Sequence, residues 1–126
     1  SLEVEYVPQG TLAERIRAYG AGLGGVLTPT GLGTIIQDGK QIVNVDGKDY
    51  ILEKPLKADI AFLRANIVDE DGNMVFLGTS QNFNPLMAMA ADYVVVEAEK
   101  LVKRGEIAPE QIHASGIFVD GIYLEK

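Results

Sequence analysis

Gln9 lies between Pro8 and Gly10, directly after an alternating apolar run of Leu2, Val4, Tyr6 and Val7. The alternation predicts a short strand over residues 2–7, closed by Pro8 because proline cannot donate to a central ladder. Ligands of α/β sheets bind beyond strand carboxyl ends. An amide there can donate a hydrogen bond to a developing oxyanion while staying uncharged. By residue type alone the plainer reading is a turn residue bonded to its own backbone.

Other chemistry-bearing residues are weaker. Residues 20–25, GAGLGG, satisfy the G-x-G-x-x-G spacing of a dinucleotide loop. That chemistry needs a strand before the glycines and a helix after them, whose amino end holds the pyrophosphate. Here a helical pattern precedes and Val26-Leu27-Thr28-Pro29-Thr30 follows, so a loop of tight turns is preferred. His113 is the only histidine and no G-x-S-x-G elbow accompanies it, which leaves a hydrogen-bonded or surface histidine as the expectation. Asp69-Glu70-Asp71-Gly72-Asn73 suggests calcium but lacks the later ligands of an EF-hand, so a hairpin turn is predicted. The amide-rich residues 79–85 read as a polar loop ending at a helix.

The elements that would hold these residues follow from punctuation. Thr11 and Glu14 have capping-box spacing, predicting a short helix to about Ala18 that Gly20 stops. Residues 20–34 read as a long glycine-rich loop, a length usually functional. Asp46-Gly47 between residues 41–45 and 48–52 predicts a hairpin. Residues 59–65 form a strand, and Asp71-Gly72-Asn73 turns into a second hairpin at residues 74–77. Asn84 reads as an N-cap with Pro85 at the first helical position, opening a helix to about Ala91. Residues 93–96, Tyr-Val-Val-Val, predict a strand buried on both faces. Residues 99–103 read as a loop or short helix, residues 109–111 as one helical turn, and residues 117–124 as a last strand. The fold class expected is α/β, a mixed sheet with antiparallel hairpins and flanking helices. One domain over residues 1–126 is expected.

Composition bounds the partners. The 126 residues carry a net charge of −7, which argues against nucleic acid because phosphate binding needs a basic face. No cysteine is present, so disulfides and thiolate metal sites are excluded. Hydrophobic residues make up 47% and charged residues 23%, and no apolar run reaches membrane-helix length, so a cytoplasmic globular domain is expected. The 14 glycines cluster between residues 20 and 47, where backbone must turn sharply or approach another group closely.

Longer strings carry more information. VPQGTLAERIRAYGAGLGG, TPTGLGT, DGKDYILEKPLKADIAFLRA and GNMVFLGTSQNFNPLMAMAADYVVVEAEKLV occur in that order. Together they resemble the α subunit of SCOT-type coenzyme A transferases, from Leu2 to about Tyr123. Bacterial enzymes acting on acetate, butyrate or acetoacetate look most similar. The resemblance implies ping-pong transfer through a glutamyl-CoA thioester, formed on a glutamate of a separate β subunit in a Ser-Glu-x-Gly context. No such string occurs in these residues, and Glu70-Asp71-Gly72 matches only Glu-x-Gly. The coenzyme A thioester is implied as substrate, with no permanently bound cofactor. The P-Q-G-T glutamine of the family is Gln9 here, implied to stabilise the oxyanion. Gly24 and Gly25, within a loop of residues 22–30 near the acyl group, are implied as substrate-lining residues. Asn82 and Asn84 fall in a matching string without an assigned role. The family carries a further amino-terminal stretch before its G-E-L-E-V-E segment, which Leu2-Glu3-Val4-Glu5 matches. The chain is therefore expected to be the later part of an α subunit, inactive by itself. The alternative expectation is a non-catalytic structural or self-associating fragment of that subunit.

Overall fold

Proline and glycine bound the first helix in the computed structural model of the chain, which describes residues 1–81 and 83–126, with Ser80 through its backbone alone. Pro8, at φ −57 and ψ 144, delivers the backbone into α1, Gln9–Gly20. The Leu12 N–H donates back to the Pro8 carbonyl at 2.9 Å. At the other end Gly22 adopts φ +72. The N–H groups of Gly22 and Leu23 then donate to the carbonyls of Tyr19 and Ala18, closing the helix in a Schellman motif. The predicted capping box does not form. Pro8 fixes a helix-compatible entry ahead of Thr11, which is buried inside the helix, while Glu14 pairs with Arg17. The expected strand over residues 2–7 is also absent. Leu2, Val4 and Tyr6 are 92%, 69% and 62% exposed, and no described strand pairs with them. Alternation supplies a face but not a partner.

Two compact units divide the chain, Ser1–Lys57 and Ala58–Lys126. In the first, β1 (Val26–Thr28), β2 (Ile42–Val45) and β3 (Lys48–Glu53) form an antiparallel sheet in the order β1-β3-β2. β1 lies inside the stretch expected to be loop, because β3 offers it a ladder over Glu53, Leu52 and Ile51. The hairpin between β2 and β3 is as expected. Asp46 and Gly47 both take positive φ, 51 and 83, the conformation of a type I′ turn.

The second unit holds β4 (Ala58–Asp69), β5 (Met74–Val75), α2 (Asn84–Met89), β6 (Ala91–Val102) and β7 (Gly121–Leu124). Its sheet order is β5-β4-β6-β7, with β6 parallel to both neighbours and β5 antiparallel to β4. The core joins Ala61, Leu63 and Ala65 of β4 to Val94, Val96 and Ala98 of β6, with Met74, Phe76 and Ala88 against them. β6 is covered on one face only in this chain: Val94 and Val96 are buried, whereas Tyr93 is 48% exposed. It also continues through Val102, where a loop or short helix was predicted, because β4 pairs with it to the register Asp69↔Val102. The predicted last strand begins instead with a 3₁₀ turn, Gly116–Phe118. Asn84 is the first residue of α2 and not its cap: Phe83 is the cap, and the Asn84 Oδ1 accepts from the Arg64 N–H at 3.3 Å. No described helix is long and apolar enough to cross a membrane.

Candidate functional site

Gln9 opens α1 as its first residue and is solvent-exposed, so a helix start, and not a strand end, presents it. The first N–H groups of a helix lack intrahelical acceptors, and no side chain caps them here. Beside this helix start lies a groove of about 460 Å³, formed by Pro8, Gly10, Thr11 and Glu14 on one side and Val26 to Thr28 with Thr30 on the other. That volume falls in the range of small-molecule sites. Thr28 Oγ1 accepts from the Thr30 N–H at 3.1 Å, bending the chain as it leaves β1. Glu14 at the rim is bound by Arg17 at 2.6 Å, and this hydrogen bond holds its carboxyl below the usual carboxylate range. The same contact raises the Arg17 guanidinium further, so the pair is ionised at neutral pH.

A charged network ties α1 to the entry segment and to the end of β3. Arg15 is buried; its Nε donates to the Lys54 carbonyl at 2.8 Å and its Nη1 to Glu5 Oε1 at 3.2 Å. Lys40 Nζ meets the buried Glu53 carboxylate at 2.8 Å. Sequence reasoning missed the four charged side chains, Glu5, Arg15, Lys40 and Glu53. One signal was available: Glu53 stands in strand phase with Ile51, so a carboxylate occupied an inward position that demands a partner.

Gly24 and Gly25 follow the carboxyl end of α1, whereas Gln9 opens its amino end, and neither glycine lines the groove. Gly25 adopts φ +147, and a Cβ there would lie 2.8 Å from the Glu53 carbonyl oxygen. Gly24 has no atom within 4 Å of where a Cβ would stand. The glycine string has a helix before it and a strand after it, the reverse of a dinucleotide loop. His113 accepts the Phe76 N–H on Nδ1 at 2.9 Å and stacks on the Phe76 ring, a structural use. Asp69 Oδ1 accepts from the N–H groups of Asp71 and Asn73, both at 2.9 Å, and so builds the predicted turn. Among the described residues no group of three or more acidic or histidine side chains could hold a metal. Asn82 lies outside the described residues.

The family model for coenzyme A transferase matches residues 1–125. The chain belongs to the coenzyme A transferase family. It is 54% identical over 124 residues to the acetoacetyl-CoA:acetate/butyrate CoA transferase alpha subunit of Clostridium acetobutylicum, covering 98% of this chain and 57% of that protein. It is 49% identical over 125 residues to the acetate CoA-transferase subunit alpha of Escherichia coli, covering 99% of this chain and 57% of that one. Thus the chain spans a little over half the length of the curated relatives it matches. Among solved structures, the acyl-CoA transferase of Escherichia coli O157:H7, a thioester complex with CoA, superposes with a TM-score of 0.86 at 25% identity, over 96% of this chain and 27% of that one. Glutaconate coenzyme A-transferase from Acidaminococcus fermentans gives a TM-score of 0.85 at 19% identity, over 95% and 45% of the two chains, a likeness of fold. The mixed α/β architecture expected from the sequence is therefore the family's own.

Proposed function

We propose that the chain is the carboxy-terminal portion of one α-subunit domain of a cytoplasmic CoA transferase, which works with a separate β subunit. The reaction moves CoA between an acyl-CoA and a short-chain carboxylate of the acetate, butyrate or acetoacetate class. A β-subunit glutamate attacks the thioester carbonyl, and collapse of the tetrahedral adduct expels CoA thiolate and leaves an acyl-glutamyl anhydride. The thiolate attacks the glutamyl carbonyl, releasing the first carboxylate and leaving a glutamyl-CoA thioester. A second carboxylate reverses the sequence and departs as its CoA ester. Gln9 donates its amide N–H to the oxyanion of the adduct, and its neutrality spares the site a proton transfer. In this reading Gly24 and Gly25 line the substrate pocket of the assembled enzyme.

The observation that carries this reading is the 54% identity to a named alpha subunit over 98% of the chain. In a reconstituted full-length α/β enzyme, Gln9→Ala should lower turnover about 100- to 1000-fold, as for other oxyanion donors, with assembly intact. Unchanged turnover would sink the assignment. A second reading, a non-catalytic self-associating fragment, is favoured by the open sheet face around Phe62, which is 74% exposed. CoA-transfer assays combined with light scattering on the isolated chain separate the two: self-association without turnover supports the fragment reading, a monomer removes it, and turnover without a β subunit contradicts both.

A further inference from the structure

Four charged side chains of the first unit meet from four separate stretches of sequence, and the oxyanion role proposed for Gln9 uses none of them. Glu5 lies in the segment entering α1, Arg15 within α1, Lys40 ahead of β2 and Glu53 at the end of β3. Arg15 Nε reaches the Lys54 carbonyl at 2.8 Å while Nη1 reaches Glu5 Oε1 at 3.2 Å. The Arg15 carbonyl in turn accepts the Leu56 N–H at 3.0 Å. Lys40 Nζ stands 2.8 Å from Glu53 Oε1 and 3.9 Å from Glu5 Oε1, so Glu5 is shared between the two cations.

Net stability is a poor explanation for such a cluster. The Arg15–Glu5 pair is open to solvent on its Glu5 side, where ion pairs contribute little. Buried pairs such as Lys40–Glu53 can often be replaced by apolar side chains without loss; their best-attested use is register. A guanidinium supplies a planar fork that binds two acceptors in fixed directions, which an ammonium does not. Here the two acceptors belong to different pieces of chain: the entry segment at Glu5 and the exit of β3 at Lys54. In sequence Gln9 lies between Glu5 and Arg15, the two residues that the Nη1 contact joins. Holding both sides to one strand end fixes where the first turn of α1 starts.

We infer that Arg15 is a positioning residue for Gln9, aiming its amide by clamping the entry segment and the helix to the end of β3. The inference rests on the oxyanion role proposed for Gln9, and acts through that residue alone. In the full α/β enzyme, Arg15→Met should lower kcat roughly 10- to 100-fold, the scale of a displacement of about 1 Å, with KM near its original value. Arg15→Lys should recover part of the loss. The deciding measurement is a double-mutant cycle with Gln9→Ala. With no amide left to aim, Arg15→Met should cost little further turnover per assembled enzyme. A full multiplicative loss in that background overturns the inference, as does an unchanged kcat in the single variant. If Arg15→Met does not assemble, Glu5→Gln carries the same cycle, because Glu5 is 58% exposed and leaves the Lys54 contact in place. A silent Gln9→Ala defeats the proposed function and this inference with it. An impaired Gln9→Ala whose losses multiply with those of Arg15 removes this inference alone.

Discussion

Gly24 and Gly25 are neighbours in sequence with opposite requirements. A Cβ on Gly25 would meet the Glu53 carbonyl oxygen at 2.8 Å and Leu52 Cδ1 at 3.0 Å, on a backbone at φ +147. Gly25→Ala should therefore destabilise the protein by about 1–3 kcal/mol, the cost of one strained backbone position. The check is a lower urea midpoint at unchanged slope. Gly24→Ala meets open space at an ordinary φ and should stay within about 0.5 kcal/mol. Any effect of Gly24→Ala would then appear in turnover, as its proposed lining role requires. From sequence the two glycines read alike, because the carbonyl that distinguishes them comes from β3, remote in sequence. Gln9 was legible as a candidate through its neighbours Pro8 and Gly10, although its local geometry was not. The expected strand end is a helix start, since Pro8 both ends extended backbone and pre-sets the helix entry.

The hairpin of β2 and β3 was the most readable element, and its turn explains why. Asp46 and Gly47 carry positive φ, Asn44 Oδ1 accepts the Gly47 N–H at 3.1 Å, and Asn44 Nδ2 donates to Asp49 at 2.8 Å. All the information needed lies within a few residues. Gly47→Val places a β-branched side chain at φ 83, and should cost about 1–2 kcal/mol. Because β3 is the centre of its sheet, the loss should appear as faster amide exchange at Ile51, whose side chain is fully buried. Unaltered exchange would show that the turn does not govern the strand. Elements whose identity depends on a distant partner were less readable. Residues 2–7 alternate correctly yet remain unpaired, β1 is a strand only because β3 lies beside it, and β6 extends through a polar stretch because β4 does. Periodicity reports which side of a chain is apolar; pairing depends on what else reaches that side.

Across the second unit, one face of the sheet is filled and the other is open. Ile60, Phe62, Tyr93 and Tyr123 share the open face through the registers Ile60↔Tyr93, Phe62↔Val95 and Glu97↔Tyr123. Parallel sheets occur almost only with both faces covered, which is why residues 93–96 read as doubly buried. If this face drives self-association of the isolated chain, Phe62→Gln should raise the monomer fraction in sedimentation velocity without lowering the thermal midpoint. An unchanged distribution would assign association elsewhere. The same sheet sets a timetable for the chain as it is made. β4 can complete its ladder with β6 only through partners 33 residues downstream, from Ala58 to Ala91. At about 5–20 residues per second, β4 emerges some ~2–7 s before the first of those partners. During that interval β5 can pair only with Ile67 and Val68. The remainder of a 12-residue strand waits with bare hydrogen-bonding edges, the interval in synthesis when a chaperone or a neighbouring nascent chain can reach it first.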